Sequence, residues 1–353
     1  RGARILILDE PTAVLTPQEA DALFTTLRAM VKEGRTVIFI SHKLDEVMAV
    51  SDRVTVLRGG RTVGTLETAS SSRRELASLM VGREVVFDRV ERKINSTNNE
   101  TVLRVNAVSA LDNRGNKALN DVSFTIKSGE VLGVAGVSGN GQRELAEVIA
   151  GMRHASAGTI SVNEKEIPNG KVRHAISAGI AHVPEDRLHT GLASSHSIED
   201  NLILKSYRTQ PISRFSVLRR KAIKENANLL VDQYNVKAPH TETPVRLLSG
   251  GNVQKVLLAR EFSANPKVLI AASPTRGLDV GAIENVRSHI VAAADSGVGV
   301  LLISEDLEEL LSLSDRIVVL YEGRIVGDLL TASATRESLG LLMGGVVLEE
   351  HTS

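Results

Sequence analysis

ILILDEPTAVL, residues 5–15, places four apolar residues directly before Asp9 and Glu10, and VLIAASPTRGL, residues 268–278, repeats the phrase with Ala272 and Ser273 at those two places. A short apolar run closed by turn residues reads as a buried strand. A carboxylate pair at the end of such a strand is what an ATP-hydrolysing site uses to hold Mg²⁺ and to polarise a water. The first copy is chemically equipped for that work and the second is stripped of it.

The resemblance between the copies extends outward without a gap. Ala272 lies 263 positions after Asp9, and the same offset separates Glu305 from His42, Asp315 from Asp52 and Gly327 from Gly64. It joins ISHKLDEV to ISEDLEEL and SDRVTVLRGGRTVG to SDRIVVLYEGRIVG. An internal repeat sets the number of structural units before any finer reading. The offset also places the counterparts of two later motifs, a glycine-rich loop at Gly136 and LLSGGN around Ser249, ahead of Arg1. The expectation is therefore a chain truncated at its N-terminus. Residues 1–83 would be the C-terminal part of a first unit, 84–100 a linker (FDRVERKINSTNNE is polar and Asn-rich) and 101–353 a second unit.

Bulk properties exclude several classes. Lys and Arg together number 42, as do Asp and Glu, so the formal net charge is zero and no basic excess points to nucleic acid. There is no cysteine on which to build a disulfide scaffold. No apolar run reaches the length of a membrane span. Aromatic residues make up 3% of the chain, so its cores must be aliphatic.

Strand and helix patterns alternate. Arg4–Leu8, Val37–Ile40 and Val54–Arg58 read as short strands, with a helix over Pro17–Lys32. The second half repeats this with strands at Val268–Ala271, Val300–Ile303 and Ile317–Tyr321 and a helix over Gly281–Ala294. This is the pattern of parallel sheets flanked by helices. Residues Val102–Lys127 alternate apolar and polar around the turn signal DNRGNK, which predicts an antiparallel sheet.

Two glycine-bearing motifs carry anion-binding potential. Gly136–Arg143 (GVSGNGQR) follows the apolar run Val131–Ala135 and precedes a helix predicted over Glu144–Ala150. This is the context of a P-loop, and its residues Gly136, Ser138, Gly139, Asn140 and Gly141 are candidate phosphate contacts. Gln142 stands where the motif needs Lys and Arg143 where it needs Ser or Thr, so the loop is degenerate. Leu247–Phe262 (LLSGGNVQKVLLAREF) puts Ser249, Gly250, Gly251 and Asn252 at the start of a helix whose dipole and free N–H groups favour phosphate. In HVPEDRLHTG, residues 182–191, Glu185 sits in a charged loop that could serve a partner or be a plain surface turn.

DEPT with its following His, a P-loop and LSGG, in this order, resemble the ATP-binding cassette (ABC) ATPases. Tandem cassettes with VPEDR, LLSGGNVQKVLLARE and PTRGLDVGA resemble the ATP-binding subunits of bacterial simple-sugar importers. IAASPTRGLDVGA is similar to the branch linked with nucleoside uptake. The resemblance implies an α/β P-loop cassette fold, mainly parallel, with an antiparallel β subdomain, an α-helical signature subdomain and a tandem repeat. It further implies ATP and Mg²⁺ as ligands, with Asp9 holding Mg²⁺ through water and Glu10 orienting or deprotonating the attacking water. His42 would contact the γ-phosphate, and Ser249–Asn252 would complete that site from the other cassette. A second site around Gly136–Arg143, Glu185, Ala272, Ser273 and Glu305 would be degenerate. A membrane permease, fed by a periplasmic or lipoprotein solute-binding protein, would be the partner, at the cytoplasmic face of the plasma membrane. On this reading the isolated chain would be inactive for want of the first P-loop. A soluble tandem cassette acting on ribosomes or nucleic acid, or a non-catalytic scaffold, are the alternatives; the neutral charge and stripped second half weigh against the former.

Overall fold

A computed structural model describes residues 3–12, 17–41, 43–58, 60–82 and 100–346. The Cα packing divides the chain into two units, residues 1–88 with 277–285, and residues 89–276 with 286–353. The brief segment 277–285 groups with the first unit. The reason is Val280, which shares an apolar cluster with Leu44, Val56, Leu76 and Ala77.

The first unit opens with strand β1 (Ile5–Asp9), helix α1 (Pro17–Lys32) and strand β2 (Thr36–Ile40). β1 and β2 pair in parallel, with Ile5 opposite Thr36 and Asp9 opposite Ile40. Helix α2 (Leu44–Val50), strands β3 (Arg53–Arg58) and β4 (Arg61–Glu67) and helix α3 (Arg73–Val81) follow. Ser72 caps α3 by accepting from the Glu75 N–H at 3.1 Å, and Gly82 ends it with φ +88°.

The second unit begins with two long antiparallel strands, β5 (Thr101–Leu111) and β6 (Lys117–Lys127), as the DNRGNK turn predicts. Strand β7 (Val131–Ala135) leads through the glycine loop into α4 (Gln142–Ile149). Next come β8 (Ala155–Val162), β9 (Lys165–Glu166), α5 (Val172–Ser177) and β10 (Ile180–Val183). β6, β5, β8 and β9, in that order, form a four-stranded sheet. A mostly helical segment comes after it: α6 (Ile198–Leu202), the hairpin β11 (Ser213–Arg214) and β12 (Val217–Leu218), α7 (Arg220–Gln233) and α8 (Gly250–Ser263). The chain then returns through β13 (Val268–Ala272), α9 (Val280–Asp295), β14 (Gly299–Ile303), α10 (Leu307–Leu313), β15 (Arg316–Tyr321), β16 (Arg324–Leu330) and α11 (Arg336–Met343).

The main sheet has the order β10-β13-β14-β7-β15-β16 and is parallel except for β16. Its central strands are buried throughout, as near-continuous apolar runs in parallel sheets require. One aliphatic core joins Leu132, Val134, Ile270, Leu301 and Val318 to Leu145 and Ile149 of α4 and to Leu103, Leu119 and Ile126 of the antiparallel sheet. Loops after β7, β10, β13 and β14 therefore converge at the carboxyl edge of the sheet, where ligands of open α/β sheets bind.

The 263-residue offset reappears element by element. β1 to α1 to β2 corresponds residue for residue with β13 to α9 to β14, and the register Ile5 opposite Thr36 recurs as Val268 opposite Gly299. A register shift between Val56 and Leu57 recurs between Val319 and Leu320. Glu10 and Ser273 both adopt φ +43°. The expected linker falls almost wholly outside the described residues.

Candidate functional site

In the second unit a cavity of about 590 Å³ opens at the carboxyl edge of the main sheet. Ser138, Gly139, Gln142 and Arg143 line it from the glycine loop, Pro184–Thr190 from the loop after β10, Ala272, Ser273 and Arg276 from the end of β13, and Ser304 and Glu305 from the end of β14. Leu248, Gly250 and Val253 close it from the start of α8. Of the residues expected there from sequence, Ser138, Gly139, Gln142, Arg143, Glu185, Ala272, Ser273 and Glu305 line this cavity, whereas Gly136, Asn140 and Gly141 do not.

The glycine loop is built for a tight turn into a helix. Gly141 has φ +105°, and a Cβ there would lie 2.5 Å from the Ala118 carbonyl oxygen, so only glycine fits. Leu145 N–H already donates to the Gly141 carbonyl, so α4 starts at Gln142, two residues earlier than predicted. Asn140 is held between its neighbours: its N–H donates to the Val137 carbonyl at 3.3 Å, and its side-chain and main-chain oxygens accept from Glu322 and Gly323. Gln142 turns back over the loop, its Nε2 donating to the Val137 carbonyl at 3.0 Å. Arg143 donates from Nε to Glu147 Oε1 at 2.8 Å and leaves 70% of its side chain exposed. Gly136 packs beside Gln142 and the Leu320 carbonyl, with no room for a Cβ.

This donor set does not fit Mg²⁺. Magnesium in a P-loop site relies on a hydroxyl one residue after the lysine and a carboxylate at a neighbouring strand end. Here those places hold Arg143 and Ala272, the lysine is Gln142, and Glu305 adds an acid that repels a γ-phosphate. The free N–H groups at the start of α4 still offer an anion cradle.

Several features of the site escape sequence reasoning. Arg276 pairs with Glu185, and Arg187 donates to the Arg276 carbonyl. These contacts tie the expected partner-facing loop to the end of β13. Residues Arg187–Gly191 form a single wide helical turn rather than an open surface loop, with Asp186 accepting from the N–H groups of Leu188 and His189. His182, another cavity residue, is held neutral: burial pushes its pKa down to about 4. The His182 backbone N–H donates to Glu261 Oε2 at 2.8 Å. Glu261 is fully buried and also pairs with Lys205 and, at 2.8 Å, with Arg260. Burial opposes ionisation of Glu261, but Lys205 and Arg260 outweigh it and hold the carboxyl below its usual range. Long-range partners separated by tens of residues give no periodic signal. The only hint in the sequence is an acid, Glu261, on the apolar face of VLLAREF.

Ser249 is the N-cap of α8 but does not cap it with its side chain. Instead Ser249 Oγ accepts from Asn252 Nδ2 at 2.9 Å, while Asn252 Oδ1 accepts from the Lys237 N–H at 2.7 Å. Ser249 and Gly250 are exposed, and Gly250 has open space on its Cβ side. Gly251 is half-buried in the first turn. The N–H groups of this helix start are thus presented outward rather than spent on a cap.

In the first unit Asp9 ends β1 and Glu10 follows it, both exposed. Glu10 sits in the left-handed region, rare for a non-glycine residue and concentrated at functional sites. Its N–H donates to the Ile40 carbonyl at 2.9 Å, which pins the turn to the end of β2. Oxygen-only donors at a strand end fit a hard cation held through water. His42 lies outside the described residues.

Comparison with known proteins agrees with this geometry. The family described as ABC transporter matches residues 119–276. The chain is 49% identical over 347 residues to a glucose import ATP-binding protein of Haloferax volcanii, covering 98% of the chain and 63% of that protein. It is 46% identical to a guanosine import ATP-binding protein of Bacillus subtilis, covering 99% of the chain and 68% of that protein. It is 40% identical to a nucleoside import ATP-binding protein of Lactococcus lactis, of which it covers 69%. The chain therefore spans about two thirds of the length of these relatives. Among solved structures, a nucleotide-free ATP-binding cassette from an ABC transporter aligns over 70% of the chain and 98% of its own, with a TM-score of 0.57 at 21% identity. A dimeric post-hydrolysis cassette bound to ADP and phosphate aligns with a TM-score of 0.56 at 18% identity. Both share the α/β fold of this chain over the aligned part. The chain belongs to the ATP-binding proteins of ABC transporters.

Proposed function

We propose that this chain is part of the ATP-hydrolysing subunit of an importer for a simple sugar or a nucleoside, acting at the cytoplasmic face of the membrane on a permease that receives solute from a binding protein. No helix among the described residues is long and apolar enough to cross a membrane. Residues 1–83 are read as the C-terminal part of one cassette and 101–353 as a second. The recurrence of the same elements 263 residues apart supports that reading. The names of the relatives, glucose, guanosine and nucleoside import, support the solute class.

The observation that carries the proposal is the asymmetry at the two strand ends. Asp9 and Glu10 retain both carboxylates, and Glu10 is held in its left-handed turn by the Ile40 carbonyl. Ala272 and Ser273 hold the same backbone without the acids. When bound, Mg²⁺ neutralises phosphate charge at the reacting γ-phosphoryl group. Asp9 would hold its water shell, Glu10 would orient and deprotonate the attacking water, and His42 would face the γ-phosphate. Ser249, Gly250 and Gly251 would close a nucleotide held by the opposite cassette, through the outward N–H groups of α8. The cavity around Gln142 and Arg143 would close without hydrolysing. ATP turnover by the protein reconstituted with its permease, stimulated by loaded binding protein, tests the assignment. No stimulation on adding those partners would overturn it.

A further inference from the structure

Asp9 ends β1 and Glu10 follows it, and a residue beyond β2 reaches back to the turn that carries them. Glu46, in the first turn of α2, accepts from Thr12 Oγ1 at 2.6 Å and from Ser41 Oγ at 3.2 Å, both through Oε2. Thr12 is buried and follows the catalytic pair by two residues; Ser41 immediately precedes His42. Lys43 completes the knot. Its Nζ lies 3.0 Å from Glu46 Oε1 and 3.5 Å from the Thr12 carbonyl, and its N–H donates to Ser41 Oγ at 3.1 Å. One carboxylate thus fastens the turn after β1 to the segment after β2.

The second unit supplies an independent observation. Glu309, 263 positions on, accepts from Thr275 Oγ1 at 2.7 Å and from Ser304 Oγ at 2.7 Å, and Ser304 Oγ accepts from the Asp306 N–H at 3.1 Å. The same clamp recurs where the acids and histidine are gone, so it belongs to the frame and not to the reacting groups. Among the clamp residues one differs: Asp306 stands where Lys43 pairs with Glu46, and the cation that acts on Glu309 is Arg287, from another helix.

We infer that Glu46 is a positioning residue for ATP hydrolysis, a clamp that fixes the turn carrying Asp9 and Glu10 to the segment after β2 while touching neither nucleotide nor metal. The inference rests on the ATPase reading above. Catalytic groups must be held to within a fraction of an ångström, and a shift of about 1 Å is enough to cost on the order of 100-fold in rate. Glutamine at position 46 keeps one acceptor oxygen but turns an amide N–H₂ toward a hydroxyl or toward the Lys43 ammonium. The clamp would loosen without emptying the space.

Two measurements test it. In the 353-residue chain, Glu46→Gln should speed amide hydrogen exchange in the segments around residues 9–12 and 41–43 together, with the far-UV circular dichroism unchanged. In the protein reconstituted with its permease, Glu46→Gln should lower kcat by about 10- to 100-fold with KM for ATP within about twofold. Glu46→Asp should recover part of the loss, and Glu309→Gln should leave turnover within about twofold. An active wild type whose Glu46→Gln variant keeps its kcat, or exchange that rises at neither segment, overturns the clamp and leaves the ATPase reading standing. A wild type without ATPase activity overturns the ATPase reading and the positioning role with it, even where exchange responds.

Discussion

Ile7 and Ile270 hold the same place in two copies of one strand. Ile7 is 64% exposed, whereas Ile270 is fully buried. The difference lies in the neighbours: β13 is sandwiched between β10 and β14, while β1 pairs with β2 alone among the described residues. The chemistry runs the other way. The exposed strand ends in Asp9 and Glu10, and the buried strand in Ala272 and Ser273. A sequence repeat therefore transmits backbone geometry faithfully, down to the φ of Glu10 and Ser273, and says little about either burial or reactivity. Those depend on what flanks the repeat and on two side chains within it.

The sharpest way to break this comparison is to exchange the chemistry. Glu10→Gln should lower steady-state ATP turnover of the reconstituted protein by about 10²- to 10⁴-fold, the usual weight of a general base. Ser273→Glu, which restores the acid to the same left-handed position, should restore no hydrolysis, because Gln142, Arg143 and Glu305 still leave no place for the metal. Retained activity in Glu10→Gln would show that hydrolysis does not run through this strand.

Burial gives the next contrast. Ile270→Ala should cost about 2–5 kcal/mol in the denaturant unfolding of the chain, through lost transfer energy and the cavity left behind. Ile7→Ala should stay within about 0.5 kcal/mol, as an exposed substitution does. Equal costs would mean that β1 is covered by some part of the protein in solution.

His182 marks a difference of electrostatics. Burial depresses its pKa from an ordinary 6.5 to about 4. Between those values the unfolded chain binds the proton and the folded chain does not, so the contribution is complete above pH 6.5 and is lost as pH falls toward 4. The full shift corresponds to about 3 kcal/mol. His182→Gln should flatten that part of the stability–pH curve. An unchanged acid limb would place the imidazole in water.

Much of this architecture is legible in the sequence. The helix over Pro17–Lys32 and the antiparallel pair around DNRGNK lie where periodicity places them, because apolar spacing and turn residues are local properties. The glycine loop is legible too, since Gly141 answers a backbone requirement that no other residue meets. The Glu185–Arg276 pair, the Glu261 cluster and the Thr12–Glu46–Ser41 clamp are not. Each joins residues from separate elements, and what makes them partners is the arrangement of strands at the sheet edge, which no short window contains. Glu46 and Glu309 look like ordinary helix-surface acids in ISHKLDEV and ISEDLEEL until the fold brings a buried threonine to each.

The smallest expected effect is at Glu309, and it separates the two clamps. Burial pushes the Glu309 carboxyl above its usual range, against the hydrogen bonds from Ser304 and Thr275 that favour its charged form. The folded chain therefore binds this proton more tightly than the unfolded one. The contribution of the group to stability is complete below the ordinary glutamate pKa of 4.5 and diminishes as pH rises through the raised folded value. Its sign is opposite to that of His182. Glu309→Gln keeps an acceptor for one hydroxyl and removes the buried charge, so stability at neutral pH should hold or rise slightly, measured by thermal unfolding across pH 4 to about 8. Glu46→Gln, which removes the carboxylate charge facing Lys43, should give no such gain. A loss of stability in Glu309→Gln at neutral pH would mean that the carboxylate is ionised and paired in the folded protein, and that the two clamps are held by the same electrostatics after all.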